Sequence, residues 1–283
     1  MSNYRIIARL DIKGPNLVKG IHLEGLRVLG KPEDFSRFYY ENGADELFYQ
    51  DVVASLYERN SLHDIISVTA KRSFIPLTVG GGIRSIQDIK DVLRAGADKV
   101  CINTAAIRNP DFIRDASRKF GSSTIVVAIE AIKQTDGRFE AFVDNGREHT
   151  GTDVLEWAKK VEELGAGEIV ITSVDREGTG LGYDVELTRS VATAVSIPVI
   201  AHGGPGKPEH FTAVLQEGKA DALAVASVIH YDFIANRQSD MSNKTEGNTL
   251  FLNSGRTKFG KIQPNSIQEI KSHLLADQIS CRP

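Results

Sequence analysis

The feature that most limits how this 283-residue chain can fold is a second half that repeats the first. Residues 75–85 are IPLTVGGGIRS, which predicts a buried strand, a glycine break and a helix start. About 120 residues later, residues 197–206 are IPVIAHGGPG, with the same apolar run and the same break. We therefore interpret the chain as two copies of one half-unit. Acidic residues recur at nearly the same offset: Asp98 with Asp221, Asp51 with Asp175, and Asp11 with Glu130.

Apolar runs rich in Val, Ile and Leu predict eight strands, and helical patterns separate them. Strands that alternate with helices form a parallel sheet. Eight such units with twofold internal repetition favour a single α/β domain over residues 1–283, a closed (β/α)8 TIM barrel, whose functional residues lie at the carboxyl ends of the strands. The strand-like runs cover residues 5–12, 46–52, 76–79, 99–102, 125–130, 168–172, 198–201 and 222–226.

Two segments depart from this alternation. The turn pairs Asp136-Gly137 and Asn145-Gly146 predict a small β-ribbon over residues 138–143. Residues 231–263 are polar and predict an insertion before a last helix through residue 275. Helix starts are indicated at Pro32, at Pro110 behind an Asn109 cap, and at pairs with capping spacing: Ser61 with Asp64, Ser85 with Asp88, Asp153 with Glu156, and Ser266 with Glu269.

Composition excludes several classes of protein. The chain is 41% hydrophobic and has a net charge of −3, so it lacks the basic surface that nucleic-acid binding requires. It has neither an apolar run of transmembrane length nor a signal-peptide core, which predicts a cytoplasmic protein without membrane contact. Its two cysteines, Cys101 and Cys281, cannot build a disulfide framework or a zinc site. We expect no metal and no cofactor.

Asp11 and Glu130 end the first and fifth predicted strands, which face each other across an eight-stranded barrel. Two opposed carboxyl groups suit general acid–base catalysis if their environments separate their pKa values. Alternatively, each is a solvated or ion-paired acid at a strand end. The repeat favours the catalytic interpretation, because it places an acid at both equivalent positions.

The glycine breaks predict two phosphate sites. Backbone N–H groups at such breaks can approach an anion closely. Each half combines glycines with a strand end that offers small or polar residues, so the substrate is expected to carry two phosphates. The first predicted cradle consists of Gly81, Gly82, Asn103 and Thr104, and the second of Gly203, Gly204, Ala226 and Ser227.

Four charged residues stand at the opposite ends of the predicted strands. Two are basic and two acidic, so they can neutralise one another as a stabilising ring of salt bridges at the bottom of the barrel. They can also gate a passage through it, and the sequence leaves both interpretations open. The four are Arg5, Glu46, Lys99 and Glu168.

Several motifs resemble the cyclase subunit of imidazole glycerol phosphate synthase, an enzyme family of histidine biosynthesis. They are RIIARLD at 5–11, VKG at 18–20, GADEL at 43–47, VGGGI at 79–83, GADKV at 96–100, INTA at 102–105 and ITSVDREGT at 171–179. The resemblance implies a lyase that uses ammonia and a ribulosyl-formimino aminoimidazole carboxamide bisphosphate. The products would be imidazole glycerol phosphate and aminoimidazole carboxamide ribotide.

The resemblance also implies residue roles. Asp11 would be a general acid or base, with Glu130 opposite it, and Lys19 would lie on a mobile loop that closes over the substrate. Asp175, Glu177 and Gly178 would join the glycines in binding the substrate. The four residues at the bottom of the barrel would gate ammonia from a separate glutaminase subunit, which docks there near Asp98 to form a heterodimer.

The sequence departs from this family at several positions, which leaves alternatives open. The family has aspartate at Glu130 and Glu177, cysteine at Arg9, serine at His202 and glutamine at Ser123. These departures and the insertion also suit a diverged relative that conducts ammonia from a glutaminase to a sugar-amidinating enzyme. A third interpretation is that the chain is an isomerase-like sugar-phosphate enzyme that needs no ammonia.

Overall fold

The computed structural model describes residues 3–54, 62–237 and 260–282. Eight parallel strands form a closed circuit, in which β12 pairs with β1 through Arg5 and Ala222, and β7 pairs with β10. The predicted (β/α)8 barrel is therefore confirmed. Its strands are β1 Arg5–Lys13, β4 Glu46–Asp51, β5 Leu77–Gly80, β6 Lys99–Ile102, β7 Ile125–Lys133, β10 Glu168–Ser173, β11 Val199–His202 and β12 Ala222–Val225.

Each half of the barrel begins with a long strand that carries an antiparallel extension. After β7, strands β8 (Phe139–Val143) and β9 (Glu148–Asp153) form the predicted ribbon around a turn at Asn145. After β1, strands β2 (Asn16–Ile21) and β3 (Glu24–Gly30) form a second hairpin that the sequence analysis missed. Its turn places His22 and Leu23 at positive φ, where neither residue type signals a hairpin.

Helices cover the outside of the barrel, and most of the predicted starts are confirmed. Ser85 with Asp88 and Ser266 with Glu269 form capping boxes, and the Asp153 carboxylate accepts two backbone N–H groups. The helices are α1 Pro32–Glu41, α2 His63–Ala70, α3 Ile86–Ala95, α4 Thr104–Arg108, α5 Asp111–Phe120, α6 Val154–Glu163, α7 Val185–Ala194, α8 Glu209–Gln216, α9 Ser227–Arg237 and α10 Ile267–Ala276. Within the described ranges, none of these helices is long and apolar enough to cross a bilayer.

Three local predictions need correction or lie outside the description. Pro110 precedes α5 and the Asn109 side chain does not cap it. Ser61 lies outside the described residues. Residues 231–237, assigned to the polar insertion, continue α9, because Phe233 is buried and packs its ring 4.2 Å from that of Phe35. Residues 238–259 lie outside the described part of the chain.

Three aspartates explain the repeated Ala-Asp pairs. Each precedes a barrel strand and accepts a hydrogen bond from the first backbone N–H groups of the neighbouring strand. Asp45 accepts from Ile6 at 2.7 Å, Asp98 from Leu77 at 2.8 Å and Asp221 from Val199 at 2.8 Å. They satisfy donors that the parallel ladder leaves unpaired at its amino-terminal edge. Their recurrence therefore has a structural cause.

The carboxyl-terminal segment is anchored to the bottom of the barrel beside β1. The Lys271 ammonium of α10 lies 3.1 Å from the second carboxylate oxygen of Asp45, and both side chains are buried. The Tyr4 N–H donates to the Ser280 carbonyl at 2.9 Å. The described end of the chain is thus bound to its described beginning.

We expect Lys271→Met to lower the free energy of unfolding by about 3 kcal/mol, because it leaves the buried Asp45 charge without its cation. Urea unfolding followed by the fluorescence of Trp157, the single tryptophan, measures the loss. Lys159→Met on the exposed face of α6 is the matched control, with an expected change within about 0.5 kcal/mol. Equal losses in the two variants would contradict a stabilising pair.

Candidate active site at the barrel mouth

The barrel interior is arranged in layers, because alternate residues of each strand point inward. One cluster is apolar and separate from the main core, which lies between the strands and the helices. Charged residues lie on both sides of this cluster, with the predicted ring below it and Arg9, Asp11 and Glu130 above it. The inner cluster consists of Ile7, Phe48, Cys101, Val126, Ala128, Val170, Ile200, Ala222 and Ala224.

The four charged residues at the bottom form a closed ring of salt bridges. Arg5 donates to Glu46 at 2.7 Å and to Glu168 at 2.9 Å. Lys99 lies 3.3 Å from the other oxygen of Glu46 and 3.1 Å from that of Glu168. Positive and negative groups alternate around the barrel axis. The structure thus brings these four residues together as the sequence analysis expected, and a gating role stays a prediction.

The first predicted phosphate cradle opens into a cavity of about 290 Å³ at the mouth. Gly81 and Gly82 have φ of 98° and 71°, and a Cβ atom on Gly81 would lie 2.3 Å from the Asp51 carbonyl oxygen. Only glycine suits that position. Asn103 and Thr104 line the same cavity, and so does Glu130. The structure therefore places one cradle beside one of the two predicted acid–base residues.

Glu130 is buried within β7 and accepts a hydrogen bond from the Gly146 N–H at 2.8 Å. Burial raises the pKa of its carboxyl group to about 7, whereas the Gly146 hydrogen bond and the Arg9 charge lower it. A carboxyl group with this pKa can both give and take a proton near neutral pH. This property matches the acid–base role predicted from the sequence.

Asp11 lies on the opposite side of the mouth, because β1 and β7 are four strands apart in the circuit. Its carboxylate is buried and accepts a hydrogen bond from the Arg9 Nε at 3.0 Å. Among the described residues, Arg9 lines the 290 Å³ cavity and Asp11 does not. Arg9 therefore connects the cavity to Asp11.

The second predicted cradle is smaller than the first. Gly178, Gly203, Gly204, Ala226 and Ser227 surround a space of about 10 Å³, together with Glu177 and His202. Whether this cradle binds a phosphate stays a prediction. A Cβ atom on Gly204 would lie 2.1 Å from the Gly182 carbonyl oxygen, so loop packing alone explains that glycine. The two cradles match in sequence and differ in volume.

Lys19 pairs with Glu177, which lines the second cradle. Lys19 lies within strand β2, in the connection between β1 and α1, and its role on a mobile loop stays a prediction. Its buried ammonium binds one oxygen of Glu177, whose other oxygen accepts the Leu23 N–H at 3.0 Å. Burial lowers the pKa of Lys19 to about 8. The Glu177 carboxylate thus pairs with the Lys19 ammonium, to which a phosphate would otherwise bind.

Asp175 is not brought to either cradle, contrary to the prediction. Its carboxylate accepts the N–H of Lys133, the last residue of β7, at 2.9 Å, and it lines an outer groove. It therefore fixes the loop after β10 against β7. No role was predicted for Arg9 or His202, which were noted only as departures from the family. Both stand two residues from an inward-facing residue of the same strand, and this alternation was the signal that could have placed them in the barrel interior.

Comparisons with known proteins agree with this geometry. The model of the family described as "Histidine biosynthesis protein" matches residues 5–235. The chain belongs to this family. The match runs from Arg5 in the charged ring into α9, so it includes all eight barrel strands and every predicted site residue.

Three relatives share one name, imidazole glycerol phosphate synthase subunit HisF. The relative from Legionella pneumophila is 60% identical over 211 residues, which cover 75% of this chain and all of the relative. The relative from Methanocaldococcus jannaschii is 48% identical, covering 82% of this chain and 92% of its own length. The relative from Alkaliphilus metalliredigens is 45% identical, covering 83% and 93%.

The pKa of Glu130 makes a pH-dependent prediction. Between the ordinary glutamate range and about pH 7 the folded protein keeps a proton that the unfolded chain has lost, so stability falls as the pH rises through this window. Relative to Glu130→Gln, the wild type should lose roughly 2 kcal/mol of unfolding free energy between about pH 5 and pH 8. A ¹³C carboxyl titration should show a midpoint near 7 that is absent from Glu130→Gln. A midpoint in the ordinary glutamate range would refute the burial effect.

Proposed function

We propose that this protein is the cyclase subunit of an imidazole glycerol phosphate synthase. It would use ammonia and a ribulosyl-formimino aminoimidazole carboxamide bisphosphate to make imidazole glycerol phosphate and aminoimidazole carboxamide ribotide. The observation that carries the proposal is the 290 Å³ cavity that joins the first phosphate cradle to the buried carboxyl of Glu130. Family membership and the names of the three relatives support it.

The geometry suggests how the chain's own residues would act. One phosphate would bind at Gly81, Gly82 and Thr104, which orients the rest of the substrate across the mouth towards β1. Ring formation needs protons to be removed from the attacking nitrogen and delivered to the leaving group. Asp11 and Glu130 stand on opposite sides of the mouth, so each can serve one of these transfers. Burial excludes water that would compete for these protons, and it strengthens the electrostatic interactions of both carboxyl groups.

A separate glutaminase would supply the ammonia. Release of ammonia from glutamine usually needs an activated nucleophile, such as a thiolate beside a base. Burial raises the pKa of the Cys101 thiol to about 12, and burial also raises the pKa of Cys281. Neither thiol can act as that nucleophile near neutral pH. The partner would dock on the amino-terminal face in the cytoplasm, where the ring of Arg5, Glu46, Lys99 and Glu168 would admit ammonia to the barrel.

One observation favours a second candidate function. A substrate with two phosphates needs a second site, and Glu177, which lines the second cradle, is paired with Lys19. For the cyclase, this pair must separate when the substrate binds, so that Lys19 can bind the phosphate. If the pair stays intact, the barrel would conduct ammonia to another enzyme, in a sugar-amidinating system.

We expect the isolated chain to use ammonia and not glutamine, because neither cysteine is a suitable nucleophile. The purified chain is assayed with the bisphosphate substrate, once with an ammonium salt at alkaline pH and once with glutamine. Turnover with ammonium alone supports the cyclase. Turnover with glutamine in the absence of a partner refutes the division of labour, and turnover with neither favours the ammonia-conducting alternative.

We expect Asp11→Asn to lower kcat with ammonium by at least about 10²-fold while KM stays within about threefold. Asparagine keeps the shape of aspartate and removes the ionisable group. The melting temperature is measured in parallel, since the substitution leaves the buried Arg9 without its ion pair. A folded variant with turnover within about tenfold of the wild type would exclude Asp11 as the acid or base.

A further inference from the structure

Arg9 is the most unusual side chain of the barrel interior. It lies on β1 above the apolar layer, and only 3% of its surface is exposed. A buried guanidinium cannot lose its proton, so burying it costs free energy unless an acceptor or a carboxylate compensates. A charge in this position therefore needs a specific partner.

Two contacts fix the orientation of Arg9. Its Nε donates to the Asp11 carboxylate at 3.0 Å, and its guanidinium carbon lies 5.2 Å from the centre of the Phe48 ring on the neighbouring strand β4. Phe48 is the register partner of Arg9 on β4, and its ring supports the guanidinium from the neighbouring strand, as in a cation–π contact. The carboxylate and the ring together hold Arg9 in one position, and Arg9 in turn holds the carboxylate.

Arg9 is also the only described side chain seen to donate a hydrogen bond to Asp11. Without it, the Asp11 carboxylate would have no side-chain donor to choose between its rotamers. A catalytic carboxylate has to be held to within a fraction of an ångström by its surroundings. The Arg9 Nε therefore supplies the orienting contact that an acid–base role for Asp11 requires.

The Arg9 charge also interacts with Glu130 on the other side of the mouth. Glu130 faces Arg9 and Asp11 from β1, Asp144 from the turn after β8, and the Gly146 N–H from the same turn. Arg9 lowers the pKa of Glu130, and Asp144 and Asp11 raise it. Among the described residues, Lys19, His202, His230 and Cys101 are further titratable groups near Arg9. Burial lowers the pKa of His202 well below its ordinary value and that of His230 to about 3, so both are neutral. Burial raises the pKa of the Cys101 thiol to about 12.

We infer that Arg9 is a positioning residue for the proposed reaction: it orients the Asp11 carboxylate through Nε and places a positive charge within reach of both Asp11 and Glu130. This inference rests on the proposed cyclase function. Arg9 acts through the two carboxyl groups and forms no bond with the reacting atoms. Its effect is therefore expected in kcat and in the pH profile, and not in KM.

The test compares Arg9→Met, which removes the charge at similar length, with Arg9→Lys, which keeps the charge without the Nε geometry. Arg189→Met on the exposed face of α7 is the control. We expect Arg9→Met to lower kcat about 10²-fold with KM within about threefold, and to raise the pKa of Glu130 above about 7. Arg9→Lys should return the Glu130 midpoint to the wild-type value and recover part of kcat. Added guanidinium ion should raise the kcat of Arg9→Ala.

Three results would overturn the inference: a kcat for Arg9→Met within about threefold of the wild type, a change in KM alone, or an unchanged Glu130 midpoint. If Arg9→Met does not fold, Arg9→Met is combined with Asp11→Asn, which leaves no unpaired charge, and the Glu130 midpoint is compared with that of Asp11→Asn. An upward shift supports the inference and no shift refutes it. If the wild type does not turn over the bisphosphate, the proposed function fails, and the titration still decides whether Arg9 controls Glu130.

Discussion

Closure of the barrel between β12 and β1 is the constraint on which the rest of the structure depends. Once the eight parallel strands form a circuit, every second side chain must share one narrow interior. Apolar side chains fill the middle of this interior, from Ile7 to Ala224. A charged side chain is stable in this interior only when it is paired with a group of opposite charge. This requirement explains the alternating ring at the bottom and the pair of Arg9 with Asp11 above.

The apolar layer separates two charged layers, and this arrangement gives each a different chemistry. In the ring, each charged group has two partners of opposite sign, so the charges are fully compensated. At the mouth, Glu130 has a single strong donor in Gly146, and burial therefore raises its pKa to about 7. The low dielectric of the barrel interior strengthens both the ion pairs of the ring and the effect of burial on the pKa of Glu130. The ring is a compensated structural element whose gating role stays a prediction, whereas burial at the mouth raises the pKa of the Glu130 carboxyl group towards neutral pH.

The two halves share one plan, and a few contacts make them unequal. Both begin with a long strand and an antiparallel hairpin, and both place glycines at positive φ after their third strand. In the first half the glycines open into the main cavity. In the second, the β2–β3 hairpin crosses to the loop after β10, where Lys19 and Leu23 bind Glu177. Gly178 permits this close approach, since a Cβ atom there would lie 2.7 Å from the Gly20 carbonyl oxygen.

The sequence by itself determined the barrel, its strands, four of the ten described helix starts and the residues around the mouth. These depend on local patterns: apolar runs, capping pairs such as Ser85 with Asp88, and glycines at strand ends. The β2–β3 hairpin could not be predicted, because His22 and Leu23 adopt positive φ only where the docked hairpin compensates their strain. Only the tertiary structure decided that Asp175 binds the Lys133 N–H, that Lys19 pairs with Glu177 beside the second cradle, and that Arg9 binds Asp11. Burial, cavity volume and pKa arise from side chains that are distant in the chain, and no local pattern specifies how they meet.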